Sequence, residues 1–162
     1  MRLEPFGKLT MRYTQGSWHL PFGGEEGVGF GTGNGEMTGT IEGSAVWANH
    51  PRRREDGVWT PNLNGVVKRA DGDEVLVSIH GQSVLEQGGN RRAILARVEL
   101  ASEVERYRWL NTCFLVGEGE IDEDRETWWM AIFLCVNEEA QGPPAIGDTA
   151  PREEFRQRGR GA

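Results

Sequence analysis

The sequence predicts an all-β protein, a single antiparallel barrel of about eight strands. Three observations carry this. Period-two alternation of apolar and polar residues recurs along the chain, while helical periodicity is hard to find anywhere. The alternating stretches are bounded by turn residues and follow one another at roughly 8 to 15 residues in most of the chain. Glycine, at 23 of 162 residues, is about twice as common as usual, and it lets barrel strands bend. Closure of the sheet leaves no edge open to aggregation.

KLTMRYT, beginning at Lys8, is the first strand. The second, GVGFGTGNGE, has a glycine at every odd position from Gly27 to Gly35. A dinucleotide fingerprint needs glycines at offsets one, three and six. Every such frame fails, because the sixth place falls on Thr32, Asn34, Glu36 or Thr38. The P-loop is excluded too, since the Gly7-Lys8 pair is followed by Leu9. The spacing of two is that of a strand with one bare face. That face suits strand bending and close packing, or a ligand-facing surface. A flexible lid is the remaining reading.

EMTGTIEGSAVWA reads as one half-buried strand with Met37, Gly39, Ile41, Gly43, Ala45 and Trp47 inside. Its small inner residues predict free room in the lumen. WANHPRRREDGVWTPNLNG is marked as a loop at a barrel mouth by Pro51 and Asp56-Gly57. LNGVVKR, EVLVSIHGQSVL, RRAILARVEL, YRWLNTCFLV and ETWWMAIFLCV complete the strands, with turns at Asp71-Gly72 and Gly88-Gly89-Asn90. The pattern stops after Val136. Residues 1–136 therefore form the barrel domain, and 137–162, rich in Pro, Gly and charge, a disordered polar tail.

Composition narrows the function classes. With 37% hydrophobic and 27% charged residues the chain is globular, and no run approaches the ~18 apolar residues of a membrane helix. The start has no apolar signal region, so a cytoplasmic protein is expected. The net charge of −7 repels phosphate backbones and argues against nucleic-acid partners. Cys113 and Cys135 lack zinc spacing and read as packed thiols, and His19, His50 and His80 have no metal-ligand spacing. The expectation is a protein without metal or cofactor.

Two stretches could carry chemistry. In the mouth loop, Trp47, Asn49, His50 and Arg54 are candidates for ligand binding, Arg54 because its planar fork suits carboxylate or phosphate. An equally simple reading pairs Arg54 with Glu55 or Asp56. In RYRWLNTCFLVGEGEID, read as a strand, Tyr107, Trp109 and Asn111 share a face, as in a site that orients an aromatic molecule by a few hydrogen bonds. Glu118 just beyond is a candidate base. His80, opposite the Val75/Val77/Ile79 face, is a third acid–base candidate if that side lines the lumen. Of the adjacent Trp128 and Trp129, one points in and one out, and an outward tryptophan is the argument for a homodimer or other homo-oligomer.

Taken together, ANHPRRREDG, the Pro61-to-Gly65 step, the Asp71-Gly72 turn, RYRWLN, GEGEID and the glycine-spaced strand through Gly39 and Gly43 resemble domain of unknown function 3237. The resemblance implies a small calycin-like antiparallel barrel from about residue 8 to 136 and no assigned reaction. Val46 stands where many members have an aspartate, and Arg69-Ala70-Asp71-Gly72-Asp73 departs from the family's usual turn. No catalytic residue is carried over.

The leading expectation is a cofactor-independent enzyme, an isomerase, cyclase or lyase by proton transfer, acting on a small hydrophobic aromatic or polycyclic metabolite in the lumen. Tyr107, Glu118 and His80 would be acid–base groups. Trp47 and Trp109 would be stacking walls, with Asn49, His50, Arg54 and Asn111 as further ligand contacts. The alternatives are a non-catalytic binding or carrier barrel and an oligomerising interaction module.

Overall fold

The computed structural model describes residues 1–19 and 26–139. Its strands are β1 (Arg2–His19), β2 (Gly27–Gly39), β3 (Gly43–Asn49), β4 (Arg52–Arg53), β5 (Trp59–Thr60), β6 (Asn62–Lys68), β7 (Glu74–Leu85), β8 (Arg91–Ala101), β9 (Leu115–Asp122) and β10 (Thr127–Val136). Eight of them close an antiparallel barrel in the order β1, β2, β3, β6, β7, β8, β9, β10 and back to β1. The two-residue strands β4 and β5 form a small hairpin at one end. It sets Arg52 beside Val28 of β2 and Trp59 beside Ser83 of β7.

Alternation explains which face is inside. Leu9 and Met11 of β1, Val75, Val77 and Ile79 of β7, Ile94, Val98 and Leu100 of β8, and Met130 and Ile132 of β10 are all buried, while their neighbours in sequence mostly face solvent. Each fully buried aliphatic side chain stabilises the barrel by about 1.5–3 kcal/mol. Trp128 is buried and Trp129 is 42% exposed, so the adjacent tryptophans split as their alternation requires.

Three expectations are corrected. The stretch from Met37 to Trp47 is not one strand: β2 runs on to Gly39, the chain turns, and β3 returns with Gly43 opposite Met37. Gly39 makes the turn at φ +106°, a left-handed conformation that glycine adopts without strain. Odd residues stay inside on both arms, which is why one strand and a hairpin have the same pattern.

RYRWLNTCFLV is also not a strand. Glu105–Thr112 forms a 3-10 segment, and β9 starts only at Leu115. A 3-10 repeat of three residues puts Tyr107 and Leu110 on one side; Leu110 is buried and Tyr107 packs against the core. The segment closes one end of the barrel, with Trp109 against Phe6 at 6.2 Å between ring centroids.

Nor do the small residues of β3 leave the lumen open. A Cβ on Gly43 would collide with the backbone of Lys68, and the Val67 side chain is 3.0 Å from the same point. The room is taken by close approach of β6, and side chains fill the middle of the barrel. The polar tail assigned from 137 onward lies, from residue 140, outside the described residues.

Candidate functional site

The open space is at the end of the barrel away from the 3-10 segment. A cavity of about 320 Å³ is lined by Tyr13, Gly16 and Trp18 of β1, Asn49 at the end of β3, Pro51, Trp59 and Pro61 around the small hairpin, Ser83 of β7, Arg92 of β8, and Ile121, Asp122, Glu123 and Glu126 of the β9–β10 turn. Its inner polar groups come from the same faces as the core. Tyr13 continues Leu9 and Met11, Asn49 continues Ala45 and Trp47, and Arg92 precedes Ile94. They are polar residues at the mouth end of apolar faces.

The glycine strand builds the aromatic wall. A Cβ on Gly29 would collide with the Trp18 ring, one on Gly33 with the Trp47 ring, and one on Gly31 would be only 2.6 Å from the Tyr13 ring. Three rings therefore lie against bare backbone, and the glycine spacing is the imprint of the aromatic residues packed on it. The rings also touch one another edge to face. Tyr13 is 4.7 Å from Trp47 and 6.0 Å from Trp18, and Trp18 is 5.4 Å from Trp59.

Within this wall the Asn49 amide is fixed by two bonds. Its Oδ1 accepts from the Asn62 N–H at 2.9 Å, so its Nδ2 faces the other way and donates to the Tyr13 hydroxyl at 2.8 Å. Burial pushes the Tyr13 phenol above its ordinary pKa, and the bond from Asn49 only partly opposes this. Tyr13 is thus a neutral phenol whose oxygen is already engaged and whose proton is available to donate.

Arg92 is the second buried polar group, at 6% exposure. Its Nε donates to Ser83 Oγ at 3.3 Å, its Nη2 to the carbonyls of Gly57 at 2.6 Å and Ser83 at 3.3 Å, and its Nη1 to Glu123 at 3.3 Å. Burial pulls its pKa below the ordinary arginine value, against the pull of Glu123. Most of its donors are used to tie the 54–58 turn to the barrel wall, so it acts first as a strut. Asp122, Glu123 and Glu126 place carboxylates at the outer edge of the cavity.

The residues nominated from sequence divide. Asn49 is in the cavity, and Trp47 stands behind it, buried against Tyr13. His50 is exposed and leans on Phe30 at 4.8 Å, and Arg54 is exposed and paired with Asp56 at 2.5 Å. His80 and Glu118 lie on the outward faces of β7 and β9.

Tyr107, Trp109 and Asn111 sit in the 3-10 segment. Tyr107 has the Arg69 and Arg106 guanidiniums over its ring at 4.9 and 5.1 Å. Asn111 holds both the N–H and the carbonyl of Ser102. The structure does not bring these three to the cavity.

Among the described residues, no group of three His, Cys, Asp or Glu side chains could hold a metal ion. No helix among them is long and apolar enough to cross a membrane.

No protein-family model matches the chain, and no curated protein matches it. Solved structures do. A protein of unknown function from Clostridium acetobutylicum aligns with a TM-score of 0.73 at 12% identity, over 84% of this chain and 100% of its own. A β-barrel-like protein from Acinetobacter baumannii aligns at 0.71 and 12% identity, over 82% and 94%. A structure described as an enzyme from Penicillium herquei aligns at 0.61 and 15% identity, over 82% and 92%. At these identities the likeness establishes the barrel fold and nothing finer.

Proposed function

We propose that this barrel binds a small, flat, largely apolar metabolite in the cavity at its glycine-lined mouth and catalyses cofactor-independent proton transfer on it. The observation that carries the reading is Tyr13: a neutral phenol, oriented by Asn49, that lines a cavity walled by Trp18 and Trp59. The volume of about 320 Å³ is at the small end for ligand sites, and the mixture of aromatic wall and few polar groups is typical of them.

The acid is then Tyr13, in place of Tyr107. The base is a carboxylate at the edge of the same cavity, and Asp122, 18% exposed against 45% for Glu123, is the better shielded. It is held in place by Arg125, whose backbone N–H donates to Oδ1 at 3.1 Å and whose guanidinium lies 3.7 Å from Oδ2. An acid and a base facing one ligand suit isomerisation, cyclisation or dehydration. That a barrel neighbour is described as an enzyme supports catalysis by this fold through analogy alone. Membership of domain of unknown function 3237 belongs to the same proposal, supported by the barrel fold.

The test incubates the protein with a small-molecule extract of its host and follows the extract by mass spectrometry, beside Y13F and D122N. Species consumed and formed by the wild type, but not by either variant, are the expected result. Species retained by the protein yet unchanged would favour a carrier. An extract neither retained nor changed would remove the ligand-site reading.

A further inference from the structure

The cavity's hydrogen-bond inventory points to the chemistry of the ligand's buried end, an inference that rests on the reading of the cavity as a ligand site. On the inner wall each side-chain acceptor already takes one hydrogen bond. Asn49 Oδ1 takes the Asn62 N–H, the Tyr13 oxygen takes Asn49 Nδ2, and Ser83 Oγ takes Arg92 Nε. The donors are not exhausted. The Tyr13 O–H has no acceptor among the described residues, the second Nδ2 hydrogen of Asn49 is spare, and so is one Nη1 hydrogen of Arg92. The indoles of Trp18 and Trp59 can only donate. The carboxylates, which can only accept when ionised, are confined to the outer edge at Asp122, Glu123 and Glu126.

We propose that the inner wall selects a ligand whose buried end is an acceptor with no proton of its own, a carbonyl oxygen conjugated to a flat ring system, held by the Tyr13 hydroxyl. An alcohol in the same place could accept from Tyr13, but its own proton would meet only acceptors that each already take one bond, and a buried donor left poorly paired is costly. A bare hydrocarbon would leave the Tyr13 proton unpaired. A donor aimed at a carbonyl oxygen is also where an enol or enolate forms when a neighbouring C–H loses its proton, so the polarity of the wall and proton-transfer chemistry agree.

Three probes of nearly one shape separate the cases: 1-tetralone (carbonyl), 1-tetralol (hydroxyl) and tetralin (neither), titrated against the full chain by ligand-observed NMR. The expected result is that 1-tetralone binds about tenfold more tightly than either of the others. Y13F should reduce that preference to about twofold or less. N49D is the second variant and keeps the phenol. It turns the neighbour of Tyr13 into an acceptor, so the phenol proton is drawn away from the ligand and the preference should again collapse.

Circular dichroism confirms that each variant is folded. Equal affinity for the three probes, or an alcohol preferred over the ketone, would overturn the inference while leaving a ligand site in place. Failure of all three to bind the wild type would overturn the ligand-site reading itself.

Discussion

Asn49 and Tyr13 lie 36 residues apart in sequence, yet the Asn49 amide donates to the Tyr13 hydroxyl at 2.8 Å. The same amide accepts from the Asn62 backbone, so one side chain ties β1, β3 and β6 together at the mouth. N49A strands two polar groups and should lower stability to urea by about 1–3 kcal/mol. Y13F strands only one amide hydrogen and should cost less. Because the residues touch, the double variant should lose less than the sum of the two, by about 0.5 kcal/mol or more. Strict additivity would mean the bond contributes nothing.

The glycine strand makes a steric prediction. A methyl at Gly33 meets the Trp47 ring and the Arg12 carbonyl, whereas one at Gly88 meets nothing within 4 Å and suffers only from φ +79°. G33A should therefore destabilise by about 1–3 kcal/mol through overpacking and change the near-ultraviolet circular dichroism of the displaced Trp47. G88A should cost about 1–2 kcal/mol through backbone strain alone and leave the aromatic signal as it was. An unchanged aromatic spectrum in G33A would refute the packing of Trp47 on bare backbone.

Much of this was legible in the sequence, and the limits are instructive. The barrel followed from alternation, because a strand in a closed sheet has one wet face and one dry one. The glycine spacing shows a bare face, but the rings that occupy it from β1, Trp18 and Tyr13, lie on a partner strand whose register no local pattern reveals. Tyr107, Trp109 and Asn111 look like one face of a strand in sequence because a short 3-10 segment has too few residues to show its period of three. The chemistry of His80 and Glu118 recommends them from sequence, but alternation alone leaves open which face of a strand is inside, and the structure puts both outside. The useful signal was the converse one. Tyr13, Asn49, Ser83 and Arg92 are polar residues in phase with buried apolar ones, and a polar residue in the dry phase at a strand end marks the mouth.

Arg92 gives a prediction about local order. R92M leaves the carbonyls of Gly57 and Ser83 without their donor, and should cost about 1–3 kcal/mol. The turn it anchors should loosen, with faster hydrogen exchange at the Arg54 and Gly57 amides, which now bond within that turn. E123Q removes only the half-exposed partner at the rim and should change stability by less than about 1 kcal/mol. If R92M and E123Q behave alike, Arg92 is not the strut.

The last prediction concerns alkaline pH. Burial raises the Cys113 thiol from 9.0 to about 11 and raises the Tyr13 phenol above 10.0. Both groups are neutral when protonated, and the unfolded chain releases those protons at lower pH than the folded one. Stability from both is therefore complete below pH 9 and falls as pH rises, first between 9 and 11 for Cys113 and then above 10 for Tyr13. Urea midpoints measured across this range should decline, less steeply in C113A between pH 9 and 11 and less steeply in Y13F above pH 10. The same shift leaves about one Cys113 in a thousand ionised at pH 8, so iodoacetamide should label it far more slowly than an ordinary thiol. Rapid labelling of Cys113 in the folded protein would contradict the packing of its thiol against the core, where it donates to the Trp109 carbonyl at 3.5 Å.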